Sequence, residues 1–202
     1  MDARMEQSAS PKTVFDHLLD EGLGASGRDD LAGALGAWRA ASVERPDSAL
    51  PHFLIGAELA QASRIEEAET SYAHAVLLAP EFETARYQLG LLQFTAGRAA
   101  TALVTWEPLF RLGPEHAIRA FVEGFAHLAA DAFDAAVERF RAGMSLNREN
   151  PPMNGDIAKV IAAIEASRAG GSPSGDPAPA AAEDQNGAHV LLSAYRQQGS
   201  VH

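Results

Sequence analysis

No cysteine occurs in the 202 residues, which removes disulfides, thiolate metal sites and cysteine nucleophiles together. A reducing compartment is compatible with that. Lysine is nearly as scarce, with Lys12 and Lys159 the only two. At a net charge of −11 the chain repels phosphate backbones and anionic lipid alike, so nucleic acid and membrane surface are not expected partners. No run approaches the ~18 apolar residues of a spanning helix. The opening "MDARMEQSASPK" has no apolar core for a secretory signal. These absences lead to the expectation of a soluble, cytoplasmic protein. What the chain does have is 47% apolar residues, much of it alanine, enough for one domain with tails or two small ones. An Ala/Arg-rich, Lys-poor composition also points, by association alone, to a bacterial source.

Motifs for chemistry are missing too. There is no Gly-rich phosphate loop, no GxSxG and no HExxH. His127 and Asp131 stand four apart and could share a helix face, but no third ligand follows at readable spacing. Acidic pairs Asp29-Asp30 and Glu66-Glu67 fall where helices are expected to start, where carboxylates stabilise the positive end of the dipole. Neither catalysis nor a metal or other cofactor is expected.

The positive signal is a repeat. Gly22, Gly56, Gly90 and Gly124 are spaced 34 residues apart. Ala34, Ala68, Ala102 and Ala136 keep that step, and an aromatic follows four residues after each: Trp38, Tyr72, Trp106 and Phe140. Pro46, Pro80 and Pro114 close three of the units, with Arg148 in the fourth and Pro151 shortly after. "LPHFLIGAELAQA" and "RIEEAETSYAHAVLLAP" each carry apolar residues at helical spacing, separated by a polar break at Ser63-Arg64. The pattern describes antiparallel helix pairs. Small residues admit close backbone approach, an aromatic fills the gap, and a proline ends the second helix.

On these residues the chain resembles the tetratricopeptide repeat (TPR) proteins, whose unit has this period. The resemblance implies an all-α, right-handed superhelical solenoid with repeats at 15–48, 49–82, 83–116 and 117–150, about two thirds of the chain. It also marks departures. The family's usual early tryptophan is replaced by Leu18, His52, Arg86 and Ala120, and Glu21 and Glu123 stand where an apolar residue is usual. Leu109 and Gly143 replace a late alanine. Residues 153–168 place Ile157, Val160, Ile161 and Ile164 on one helical face, as a capping helix would. Residues 1–13 are expected to be a flexible N-terminus, and 169–187, by composition, a disordered linker.

TPR proteins bind partners on the concave face built by the first helix of each repeat. Carried onto this register, the lining includes Leu19, Phe53, Leu54, Tyr87, Leu91, Phe94, Phe121 and Phe125, with Leu23, Ile118, Val122 and Leu128. Asp16 and Asp20 lie at one end, with Gln61, Thr84, Gln88 and Thr95 between. The Lys and Asn needed to clamp chaperone carboxylate tails are missing from it. An apolar groove suits an amphipathic helix or extended apolar segment of a protein partner. About half of these side chains are expected to be core rather than lining.

Beyond the linker, residues 188–198 are expected to be a short amphipathic docking segment, with Ala188, Leu191, Leu192 and Tyr195 at i, i+3, i+4, i+7 and Arg196 next. So short a helix needs a surface to fold on. Three readings remain open: a plain tail with a chance apolar clump, a segment that docks in this protein's own groove, or a motif for another protein. The expected function is a protein- or peptide-binding adaptor or assembly factor. Two alternatives stand beside it: a chaperone resembling the small TPR chaperones of type III secretion, and a regulatory subunit of an enzyme complex.

Overall fold

The structure, a computed structural model, describes residues 12–148 and 150–169. The segment carrying Leu191, Leu192 and Tyr195 lies outside them, as do residues 1–11 and 170–187. Among the described residues there are nine α-helices and no strand: α1 (Val14–Ser26), α2 (Leu31–Glu44), α3 (Ala49–Gln61), α4 (Ile65–Leu78), α5 (Glu83–Thr95), α6 (Ala99–Trp106), α7 (Ala117–Ala129), α8 (Phe133–Leu146) and α9 (Pro151–Ala169). Each helix packs on the next along the chain, in a solenoid of helix pairs.

The sequence columns explain the pairing. Gly22, Gly56, Gly90 and Gly124 each face the ring of Trp38, Tyr72, Trp106 and Phe140 across their own helix pair. A Cβ at the glycine would come within 2.2–2.8 Å of the nearest ring atom, closer than carbon atoms tolerate. Only hydrogen on the first helix lets the ring of the second lie flat against its backbone. Ala34, Ala68, Ala102 and Ala136 are fully buried beside those rings. The two tryptophans gain a further tie that Tyr72 and Phe140 lack. Trp38 Nε1 donates to Leu19 O at 3.3 Å and Trp106 Nε1 to Tyr87 O at 3.0 Å, both three residues before the glycine.

The helix ends follow their local chemistry. Thr13 and Asp16 form a reciprocal capping box at α1, with Asp16 N donating to Thr13 Oγ1 and Thr13 N to Asp16 Oδ2. Asp30 caps α2 by accepting from Gly33 N at 2.9 Å. At α4, Glu66 and Glu67 occupy the first turn, and Arg64 grips Glu67 with two nitrogens. Asp29, Ser63, Gly97 and Asp131 all have φ between 56° and 76°, one left-handed residue in every turn between paired helices. α6 departs from its counterparts. Pro108 supplies no N–H, so the α-helix stops at Trp106 and the chain continues as a 3₁₀ turn, Glu107–Arg111.

Two of the residues at the usual tryptophan position, and one of the two acids at the usually apolar one, have partners that account for them. Arg86 donates to Pro80 O at 2.9 Å and Thr105 O at 3.3 Å, tying α5 to the preceding turn and to α6. His52 meets His74 edge-on at 5.5 Å between ring centroids. Glu123 stays on α7 because Arg119 and Arg139 reach it at 2.8 and 3.1 Å. Burial pushes that carboxyl up, but the two arginine hydrogen bonds outweigh it and hold it below the ordinary glutamate value.

The buried side chains form two clusters. One runs from Phe15 to Leu89 and the other from Tyr87 to Ile164. α5 belongs to both, sending Ala85 and Leu89 into the first and Tyr87 into the second. α9 closes the second with Met153, Ile157, Ile161 and Ile164. An asparagine knot fixes its start. Asn147 Nδ2 donates to Asn150 O and Asn154 Oδ1, and Asn154 Nδ2 to Met144 O.

Candidate functional site

The four first helices are α1, α3, α5 and α7, each packed against its own second helix. The sequence places eight apolar residues on the lining of these helices, and six of them are buried. Leu19, Phe53, Leu54, Tyr87, Phe121 and Phe125 are buried in the two core clusters. Leu91 and Phe94 are half-buried.

The physical reason is ring packing between successive pairs. Phe53 lies 4.9 Å from Phe82 and 5.7 Å from Tyr72, centroid to centroid. Tyr87 stacks on Trp106 at 6.1 Å and leans on Phe121 at 6.4 Å. Phe125 meets Phe94, Trp106 and Phe140 at 5.1, 5.3 and 4.9 Å. Such contacts stabilise the stack by about 0.5–1.5 kcal/mol each beyond the area they bury. The fifth residue of each expected repeat, read as lining, is therefore mortar between repeats. Burial holds the Tyr87 phenol well above its ordinary pKa, with Asp156 adding to the shift.

The large apolar residues that stay half-buried on the first helices are Leu18 and Leu23 on α1, Leu50 on α3, Leu91, Leu92 and Phe94 on α5, and Leu128 on α7. Polar groups gather where the first helices end. Ser26 Oγ donates to Glu58 Oε2 at 2.8 Å, and both residues are buried. One turn on, Gln61 Oε1 is a buried acceptor with no hydrogen-bond partner among the described residues. Further along this edge Arg98 forks onto Glu69 at 2.9 and 2.5 Å, and Gln93 Nε2 donates to the same carboxylate at 3.3 Å. Arg98 holds the Glu69 carboxyl below the usual glutamate range. The buried Gln93 also accepts from Thr105 Oγ1 at 2.7 Å, so its amide joins three helices.

The other sequence candidates fall elsewhere. Asp20 is exposed and pairs with Lys12 at 2.5 Å. Gln88 is buried, while Thr84 is half-buried and Thr95 exposed. His127 is half-buried at the end of α7, and Asp131 is the left-handed residue of the turn after it. Among the described residues no group of three or more His, Asp or Glu is placed to hold a metal ion. Among them, no helix is long and apolar enough to cross a membrane. Glu58 and Gln61 stand at i, i+3 on one helix, and that spacing is the signal the sequence carries for this polar end.

The helix pairs and the glycine–aromatic contact repeated in each define the fold of a tetratricopeptide repeat solenoid. Solved structures agree. The structure of MamA, residues 41 to the end, from Desulfovibrio magneticus aligns with a TM-score of 0.59 at 14% identity, covering 95% of this chain and 99% of that one. YrrB, described as a TPR protein with an unusual peptide-binding site, aligns at 0.54 with 15% identity over 90% of each chain. A tetratricopeptide repeat protein from Parabacteroides merdae aligns at 0.55 with 17% identity, over 92% of this chain and 74% of the other. At these identities the likeness is one of fold. No protein-family description and no curated protein matches the sequence.

Proposed function

We propose that this chain is a protein-binding adaptor or assembly factor whose first-helix face takes an apolar or amphipathic segment of a partner. One observation carries the reading. Each of the four first helices keeps a half-buried leucine or phenylalanine, at Leu23, Leu50, Leu91, Phe94 and Leu128. No lysine lies among them, so a partner is gripped by apolar burial rather than by a charge clamp. That YrrB, of the same fold, is described as having a peptide-binding site supports this use of it. Each leucine is already half-buried, so covering it contributes only a fraction of the ~1.5–3 kcal/mol of a fully transferred side chain, which makes a shallow, adaptable site rather than a deep pocket.

A peptide array of amphipathic, uniformly acidic and uniformly basic 15-residue segments tests the reading on the full chain. Enrichment of amphipathic segments is expected, with at least tenfold weaker binding to Leu91→Asp and unchanged circular dichroism. Preferential capture of acidic tails, or indifference to Leu91→Asp, would refute it.

A further inference from the structure

We propose that His52 and His74 together bind a late first-row divalent ion, zinc foremost, between α3 and α4. The binding-face reading above is not needed for it. What carries it is the meeting of two imidazoles from the two helices of one repeat, 5.5 Å apart between centroids.

The pairing is particular to the second repeat. The same two columns hold Leu18 with Ala40, Arg86 with Pro108, and Ala120 with Ala142 in the others. Packing of the helix pair therefore does not call for two histidines here. Nor does a hydrogen-bond network, since neither imidazole has a protein partner other than the opposing ring among the described residues.

The separation matches what a shared ion requires. Zinc–imidazole bonds run to about 2.0–2.1 Å, and zinc prefers a tetrahedron. A ring centroid lies about 1.2 Å behind its ligating nitrogen, so two rings on one tetrahedral ion stand about 5.2 Å apart. The observed distance is close to that. The rings meet edge-on, at 82° between planes. The second side-chain torsion of histidine is broad, so turning one ring aims a nitrogen of each at a common point.

Access and ligand type agree. His74 is exposed and His52 half-buried, so a hydrated ion has an open path to both. Neutral imidazole suits zinc, nickel and copper, whereas magnesium and calcium take oxygen ligands. No third His, Asp or Glu joins the pair among the described residues. The remaining positions belong to water or to a side chain of a partner. Half the free energy of a four-ligand site corresponds to a dissociation constant on the order of 10 μM.

The position gives the ion a structural effect. Ser63 is the left-handed residue of the α3–α4 turn, and the two histidines lie eleven residues before and after it. At 1.5 Å per helical residue both sit roughly 15 Å from the turn, towards the end of the pair that the chain leaves unjoined. An ion there clips that end, and its binding is added to the stability of the fold.

Urea denaturation of the full chain near pH 7.5 tests the proposal. With zinc chloride at about 100 μM the folding equilibrium constant should rise about tenfold over its value in EDTA. Magnesium chloride at the same concentration should leave it unchanged. His74→Gln and His52→Gln should each lose the zinc effect, and His127→Gln should keep it. Imidazole nitrogen–proton spectra of the unaltered chain read the site without any substitution, and the signals of His52 and His74 should move together as zinc is added. The absence of a zinc effect on the parent's stability overturns the proposal. So does an effect that survives both substitutions, or zinc-induced shifts confined to other histidines.

Discussion

The Trp106 indole lies so close over Gly90 that a Cβ there would sit 2.2 Å from its Nε1. The indole is fully buried and hydrogen-bonded to Tyr87 O, so it has nowhere to move. Gly90→Ala should destabilise by about 1–3 kcal/mol through overpacking, and Ala68→Leu or Ala102→Leu should do the same by the same mechanism. Gly36 is the control, because nothing stands within 4 Å of its missing Cβ. Gly36→Ala in the exposed interior of α2 should stabilise by up to about 1 kcal/mol. Urea denaturation of these variants gives the comparison, and a Gly90→Ala protein as stable as the parent would contradict the packing described.

The left-handed turn residues give a second set. Asp29, Ser63 and Asp131 hold φ near 57° while Gly97 holds 76°. An L-residue costs about 1–2 kcal/mol in that region. Ser63→Gly should therefore stabilise the fold and Gly97→Ala destabilise it, each by about 1 kcal/mol, read as opposite shifts of the thermal midpoint. Ser63→Ala should gain nothing.

Acid should weaken the edge that carries Glu69. Its folded pKa is depressed, by Arg98 first and Gln93 after burial has opposed them. As pH falls through the ordinary glutamate value, about 4.3, the unfolded chain takes up the proton first. The stabilisation from this group is complete above that pH and is lost as pH drops through the folded value. A Glu69→Gln chain should melt below the parent at pH 7, and the gap should narrow steadily between pH 5 and pH 3. A gap that stays constant over that range would remove Glu69 from the account.

Core and lining can be separated by two substitutions on one helix. Tyr87 is enclosed between Trp106 and Phe121, so Tyr87→Ala should cost about 3–5 kcal/mol of stability. Leu91→Ala, one turn on and half-exposed, should leave the melt within about 1 kcal/mol of the parent and weaken amphipathic peptides several-fold. That binding should change little between low and moderate salt, because few charges are paired across the face. Steep salt dependence would point to an electrostatic site instead.

The fold was legible because its rules are local. Glycine at 22, 56, 90 and 124 and an aromatic sixteen residues on are two ends of one contact, and the period repeats the contact in the sequence. The binding face was less legible because its rule is not local. Phe53, Tyr87 and Phe121 share a helical stripe with Leu50, Leu91 and Leu128, and a stripe does not say which of its edges the next repeat will cover. The break after Trp106 has its signal in Pro108, which interrupts the helix ahead of the proline at 114 that closes the repeat. The left-handed column was readable too, since Asp, Ser and Gly at 29, 63, 97 and 131 are residues that tolerate or suit that backbone.

α5 is the party wall of the molecule, with Ala85 and Leu89 in one room and Tyr87 in the other. A solenoid whose repeats touch only their neighbours has no core spanning it from end to end, so its cooperativity is only as strong as the thinnest shared element. Here that element is one helix of 13 residues. Strain entering at α9 can be released by parting the second cluster, while the first holds its shape behind the other side of α5. The molecule can thus fail by halves, losing the Phe125 side while the Phe53 side stays folded, a division of labour that amide exchange along α5 would display residue by residue.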